Sequence, residues 1–180
     1  MQKRILLGAA LLTGTVILLA CQGADNNPPL ETVPYVDLQK YTGTWYEIAS
    51  FPQRFQKGCH CSKAEYKLIP EGYVEVHNSC RKDSATGKLK EVTGKAFVTD
   101  PKTNAKLKVQ FFWPFKGNYW IIDLAKDYSY AVVGDPSRNY LWILSRNRQL
   151  DKTLYDQIVA RTAAKGFDVS KLKITEQSCP

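Results

Sequence analysis

Histidine is scarce in this chain: His60 and His77 are the only two among 180 residues. No nucleophile motif accompanies either, so no base and nucleophile assemble for catalysis, and the chain is expected not to be an enzyme. Metal-binding spacing is lacking as well. Cys59-His60-Cys61 is tighter than the C-x₂₋₄-C pattern of zinc sites, His60 alternates away from its neighbours, and His77 points outward. No metal and no cofactor are expected. No run of Lys or Arg interleaves with aromatics on a binding motif, so the formal charge of +8 does not argue for nucleic acid. It suits a solvated surface, or one close to anionic headgroups. The longest apolar run, Ile5 to Ala20, has 16 residues, and a spanning helix needs roughly 20. No internal repeat occurs.

That run has a different meaning. Lys3 and Arg4 precede it, and it ends Leu18-Leu19-Ala20-Cys21. A small residue directly before Cys at this point resembles a bacterial lipoprotein signal. The resemblance implies removal of residues 1–20 and acylation of Cys21 on its thiol and its new amino terminus. Two or more acyl chains give stable anchoring. Loss of Lys3 and Arg4 takes the formal charge from +8 to +6. Residues 21–34 are polar and carry Pro28, Pro29 and Pro34. They are expected to form an extended tether reaching about 45 Å at most. The folded domain is then 35–180. Gln22 follows the cysteine where Asp commonly marks inner-membrane retention. The resemblance therefore implies a lipid-anchored protein of the cell outer membrane, facing the periplasm, in a host that has one.

From Trp45 onward, short β-rich runs alternate with turn residues. Tyr66 to Ile69 and Tyr73 to His77 flank Pro70-Glu71-Gly72, which predicts a hairpin. Val92 to Thr99, Leu107 to Phe111, Tyr119 to Leu124, Tyr128 to Val133 and Tyr140 to Ser145 follow. With the first run these make eight strands, the pattern of an antiparallel sandwich or barrel. Asp151 to Lys165 differs. Leu154, Tyr155, Ile158, Val159 and Thr162 recur at helical spacing, with Asp151 as N-cap and Gly166 as the stop. One amphipathic helix must lay its stripe on the outer wall of the sheet. Leu172-Lys173-Ile174 suits a short last strand.

Three short motifs then carry a family resemblance. Gly43-Thr44-Trp45 with Tyr46-Glu47-Ile48 resembles the first signature of lipocalins, and Asp127-Tyr128 with Tyr130-Ala131-Val132 the second. Arg146 after Trp142-Ile143-Leu144-Ser145 resembles the third. Phe111-Phe112-Trp113-Pro114-Phe115 and Gly166 to Lys171 are similar to bacterial outer-membrane lipocalins. Thr175 to Pro180 is similar to the apolipoprotein D branch. Lys126 departs from the Thr usual in the second signature. The resemblance implies an all-β, eight-stranded, antiparallel up-and-down barrel with one C-terminal helix outside. In such a barrel, Asp37 to Tyr41 can cross one end as a helical turn. Gly43 turns the chain in, Trp45 fills the floor, and Arg146 stacks on the indole.

The resemblance turns Trp142 inward, and with it Tyr140 and Leu144. Alternation then adds Ala64, Tyr66, Leu68, Val74, Val76, Asn78, Val92, Gly94, Ala96, Val98, Leu107, Val109, Phe111 and Tyr119. Ala64, Gly94 and Ala96 are expected to leave room. Tyr66, Asn78, Phe111, Tyr119 and Trp142 are the expected ligand contacts, in an apolar pocket with a few polar handles. The implied ligands are fatty acids or lysophospholipids, held for lipid storage or transport at the outer membrane. The alternatives are a structural envelope lipoprotein without ligand and an enzyme on a small hydrophobic substrate.

Cys21 aside, Cys59, Cys61, Cys80 and Cys179 form an even set in an exported protein, so two disulfides are expected, with three pairings open. The hairpin brings Cys80 beside Cys59. The apolipoprotein D resemblance joins the tail cysteine to the position of Cys61. Together these imply Cys59–Cys80 and Cys61–Cys179. Strict alternation sets Cys80 and Cys59 on opposite faces, so this pairing requires a bulge or a frayed strand end.

Overall fold

The computed structural model describes residues 27–179. The expected signal at 1–20 and the expected acylation site Cys21 lie outside the described residues. In chain order the elements are α1 (Leu38–Tyr41), β1 (Gly43–Ser50), β2 (Cys59–Ile69), β3 (Tyr73–Lys82), β4 (Leu89–Val98), β5 (Lys106–Phe112) and β6 (Phe115–Leu124). Then come β7 (Tyr130–Gly134), β8 (Leu141–Ser145), α2 (Lys152–Ala164) and β9 (Lys173–Ile174).

Each of the first eight strands runs antiparallel to the next. β1 pairs with β2 through Gly43↔Tyr66 to Tyr46↔Lys63 and with β8 through Tyr46↔Ser145 to Ser50↔Trp142. These two pairings close the eight strands into a barrel, and closure removes the exposed edges that an open sheet would present. β9 stands outside the eight, antiparallel to β1 through Ala49↔Ile174. Between β1 and β2 the seam is only half zipped, because β2 leaves β1 beyond Tyr46. The C-terminal tail fills the rest. The Thr175 amide donates to the Ile48 carbonyl at 2.9 Å, and the Cys61 amide to the Glu176 carbonyl at 2.7 Å. The Gln177 side chain bridges the two strands by donating to the carbonyls of Glu47 and Ser62, both at 2.8 Å.

Two apolar clusters follow from the alternation of side chains. One fills the lower lumen, with Trp45, Tyr66, Val74, Val76, Leu107 and Ile121 among its buried members. The other lies outside, between the wall and α2, and includes Ile48, Ile143 and Ile158. Asp151 caps α2 by accepting the Leu154 amide, and Gly166 ends it at φ +85°. The helix thus lays its stripe on the outer wall.

Several boundaries shift. β7 starts at Tyr130 because Tyr128 sits at φ +61° and donates its amide to Ala125, which makes it a turn residue. β4 starts at Leu89, where Arg81↔Leu89 extends the pairing, and β6 reaches back to Phe115, opposite Phe112. Packing also begins ahead of residue 35. Leu30 is buried in the outer cluster, and the Val33 amide donates to the Ile121 carbonyl at 3.0 Å. Polarity and proline content hid this, because two apolar side chains suffice to dock a short extended segment.

Candidate functional site

The barrel has a closed end and an open end. At the closed end, Asp37 caps α1 by accepting the amides of Gln39 and Lys40, so the single turn holds its place. Gly43 then turns the chain inward at φ +90°. Trp45 is fully buried and donates Nε1–H to the Tyr41 carbonyl at 2.8 Å. The Arg146 guanidinium lies 3.8 Å from the indole centroid and donates to the carbonyls of Thr44 at 2.9 Å and Lys40 at 2.7 Å. One arginine therefore joins the end of β8, the start of β1 and the end of α1.

Above that floor stand three tyrosines. Tyr119 shares hydrogen bonds of 2.8 Å with both Tyr41 and Tyr66. Three hydroxyl protons serve two bonds, which leaves one donor over. Burial pushes the Tyr41 and Tyr119 hydroxyls well above their ordinary value and Tyr66 up to about 12. Alkali is therefore expected to destabilise the fold. Unfolded tyrosines lose protons near pH 10 while these three hold theirs, so stability falls as pH rises from about 10 towards 12. Phenolate absorbance is expected to rise in two stages, the second coinciding with unfolding. The enclosed space bordered by these rings with Leu38, Val74 and Ala96 is ≈ 10 Å³, about one water.

The upper lumen is lined by half-buried Val109, Phe111 and Trp142. Asn78 shares the inward face of β3 with Val74 and Val76, and its Oδ1 is buried without a hydrogen-bond partner. An unpaired buried amide oxygen costs about 1–3 kcal/mol. Tyr66 and Tyr119 thus belong to the floor, and Asn78, Phe111 and Trp142 to the wall above. Two expectations need correction. Tyr140 is 41 % exposed and stacks on Trp142 from outside β8. Gly94 leaves no room, because a Cβ there would meet the Phe111 ring at 2.6 Å and the Gln110 carbonyl at 2.7 Å. The ring fills the space that the missing side chain frees. Gly94→Ala is expected to cost about 1–3 kcal/mol through overpacking, read as a lower urea midpoint.

Near the mouth, residues that nothing in the sequence groups together build a polar latch. Glu47 is 6 % exposed. Its carboxylate accepts from Ser50 at 3.0 Å, Gln56 at 2.7 Å and Thr175 at 2.6 Å. Gln56 in turn accepts the Trp142 Nε1–H at 3.0 Å. The latch ties the tail, β1 and the β1–β2 loop to a wall residue of the lumen. A groove of ≈ 500 Å³ opens outside it, between that loop and residues 173–176.

Disulfides join Cys59 to Cys80, with Cα atoms 5.4 Å apart, and Cys61 to Cys179, with Cα atoms 6.1 Å apart. A bulge between His60 and Lys63, with Cys61 at φ +51°, resolves the facing conflict. Both histidines sit on the outside, His60 at 2.7 Å from Glu176 and His77 at 3.1 Å from Glu91. Among the described residues no three metal-ligating side chains converge.

Comparison with known proteins agrees with this architecture. A family model of the lipocalin-like domain matches residues 36–177. Temperature-induced lipocalin-1 of Arabidopsis thaliana is 42% identical over 158 residues, covering 83% of each chain. Outer membrane lipoprotein Blc of Escherichia coli K12 is 37% identical over 174 residues, covering 97% of this chain and 98% of that one. Apolipoprotein D of Macaca fascicularis is 34% identical over 168 residues, covering 88% and 85%. Among solved structures, insecticyanin of Manduca sexta superposes with a TM-score of 0.65 at 24% identity, covering 83% and 85%.

Proposed function

Because the chain belongs to the lipocalin family, we propose that it is a membrane-anchored carrier holding a fatty acid or lysophospholipid in its barrel, for lipid storage or transport at the outer membrane. The observation that carries this reading is the apolar upper lumen with one unpaired amide, Asn78, in its wall. A single polar handle in an apolar cup suits a long acyl chain with a small polar head. The chain would lie against Phe111, Val109 and Trp142, gaining about 0.8 kcal/mol per buried CH₂. Asn78 offers an acceptor to a glycerol hydroxyl and a donor to an ester or carboxyl oxygen. The Phe111 ring would swing from its place over Gly94 to admit the chain. Similarity to an outer membrane lipoprotein supports the location, and acylation of Cys21 would supply the anchor.

Native mass spectrometry on residues 22–180, exported to the periplasm, tests the reading. An adduct of fatty-acid or lysophospholipid mass is expected, displaced by added competitor. Trp142→Ala is expected to weaken it about tenfold, since it removes a wall residue and frees Gln56. A protein that carries no acyl lipid and takes up none when it is added would overturn the proposal.

A further inference from the structure

Eight large hydrophobic side chains are exposed among the described residues, and six of them stand at one end of the barrel. Phe55 lies in the β1–β2 loop, Leu89 at the start of β4, Phe112, Trp113 and Phe115 at the β5–β6 turn, and Tyr140 in the β7–β8 loop. That is the open end. The turn is the most prominent part, with Phe112 71 %, Trp113 86 % and Phe115 77 % exposed. Scattered exposed apolar residues need no explanation, whereas a contiguous set marks an interaction surface.

The N-terminal segment leads to the same end. From Val36, bonded to Thr103 below the barrel, the chain runs back past Ile121 and over the outer cluster at Leu30. It reaches Pro28, whose carbonyl accepts from Arg138 of the β7–β8 loop at 2.5 Å. Arg138 also holds the Lys165 carbonyl at 2.8 Å, so the segment is pinned beside the mouth. Only five residues separate Asn27 from Cys21, six steps with a reach of roughly 20 Å at most. Acylation of Cys21 would therefore hold the open end next to the bilayer.

Charge agrees with this orientation. The open-end loops and the β5–β6 turn carry Arg54, Lys57, Lys88 and Lys116 against one exposed carboxylate, Asp83, which pairs with Lys82 at 2.9 Å. The closed end mixes signs, with Asp37, Asp100 and Asp127 beside Lys40, Lys102 and Lys126. Aromatic side chains favour the headgroup level of a bilayer, and cations favour anionic headgroups.

We propose that the mouth of the barrel docks on the membrane that carries its own acyl anchor, with Phe112, Trp113 and Phe115 seated in the interface of an anionic phospholipid surface. The acyl chains would hold the protein at the membrane by themselves, and the rim, acting at the same end, would fix which face of the barrel meets the surface. The lumen then opens onto the bilayer, so an acyl ligand passes from lipid to protein without crossing water. This last consequence rests on the carrier reading; the docking itself does not.

The test uses the full, acylated chain in vesicles of phosphatidylethanolamine and phosphatidylglycerol with a fraction of doxyl-labelled phosphatidylcholine. Comparison with Trp113→Phe isolates the Trp113 emission. That emission is expected to be quenched by the lipid-borne label and shielded from aqueous iodide. The quenching is expected to be lost in Phe112→Ser/Phe115→Ser and weakened when phosphatidylcholine replaces phosphatidylglycerol. Trp113 emission open to iodide and untouched by the label overturns the proposal. So does a mature chain of unacylated mass, since the orientation is argued from that anchor. A doubled mass in lipid-free solution with Trp113 already shielded would assign the rim to a second copy and overturn it as well. Native mass spectra of the same sample separate the two readings: quenching without any acyl adduct sinks the carrier and leaves the docking.

Discussion

Trp45→Ala is expected to lower stability by about 3–5 kcal/mol, the range for removing a large buried aromatic. For a domain of this size that is a fall of roughly 6–20 °C in Tm. Trp45 is fully buried and carries three loads. It packs against the Tyr41 ring at 5.0 Å, donates to the Tyr41 carbonyl, and is the platform for Arg146. Arg146→Ala is expected to do less, because the indole stays in place. It forfeits a cation–π contact of about 0.5–2 kcal/mol and leaves the Thr44 and Lys40 carbonyls without their charged donor. Arg146→Lys is expected to rescue little, since a point ammonium cannot stack on the ring and reach both carbonyls. None of these three substitutions touches the wall above the tyrosines, so lipid affinity is expected to hold. Denaturation midpoints paired with lipid titration check this. Unchanged stability with lost binding would move Arg146 from the floor to the ligand site.

The second large effect concerns the tail. Cys61 and Cys179 lie 118 residues apart in sequence, and Cys59 and Cys80 lie 21 apart. The chain-entropy relation gives about 5 kcal/mol for the long loop and about 3 kcal/mol for the short one, and measured losses fall at about 2–5 kcal/mol. Cys61→Ser/Cys179→Ser is therefore expected to destabilise more than Cys59→Ser/Cys80→Ser. It should also act locally. Residues 175–179 fill the half of the β1–β2 seam that the strands leave open, and Thr175 bonds to the Glu47 carboxylate. Once the bridge is gone, the Cys61 and Thr175 amides are expected to exchange with solvent far faster, while the paired strands keep their protection. A tail that stays protected without its disulfide would show that the latch holds it alone.

Much of this was readable from local pattern. Alternation and turn residues placed the strands, because a side chain's face is decided by parity once pairing begins. The stripe from Leu154 to Thr162, with Asp151 before it and Gly166 after, determined α2 by itself, because capping and periodicity act within a few residues. Gly43-Thr44-Trp45 and Arg146 pointed to the floor through their resemblance to the lipocalin signatures, not through any local pattern of their own. Other features had to wait for the fold. Tyr41, Tyr66 and Tyr119 meet only because three separate elements converge on one floor. Nothing in the sequence groups Glu47, Ser50, Gln56 and Thr175, since a hydrogen-bond network is defined by where side chains end. Gly94 promised space from composition, and its neighbour across the sheet, Phe111, took it. The docking of Leu30 and the gathering of six exposed apolar residues at one mouth were also decided in three dimensions, where loops far apart in sequence share an end.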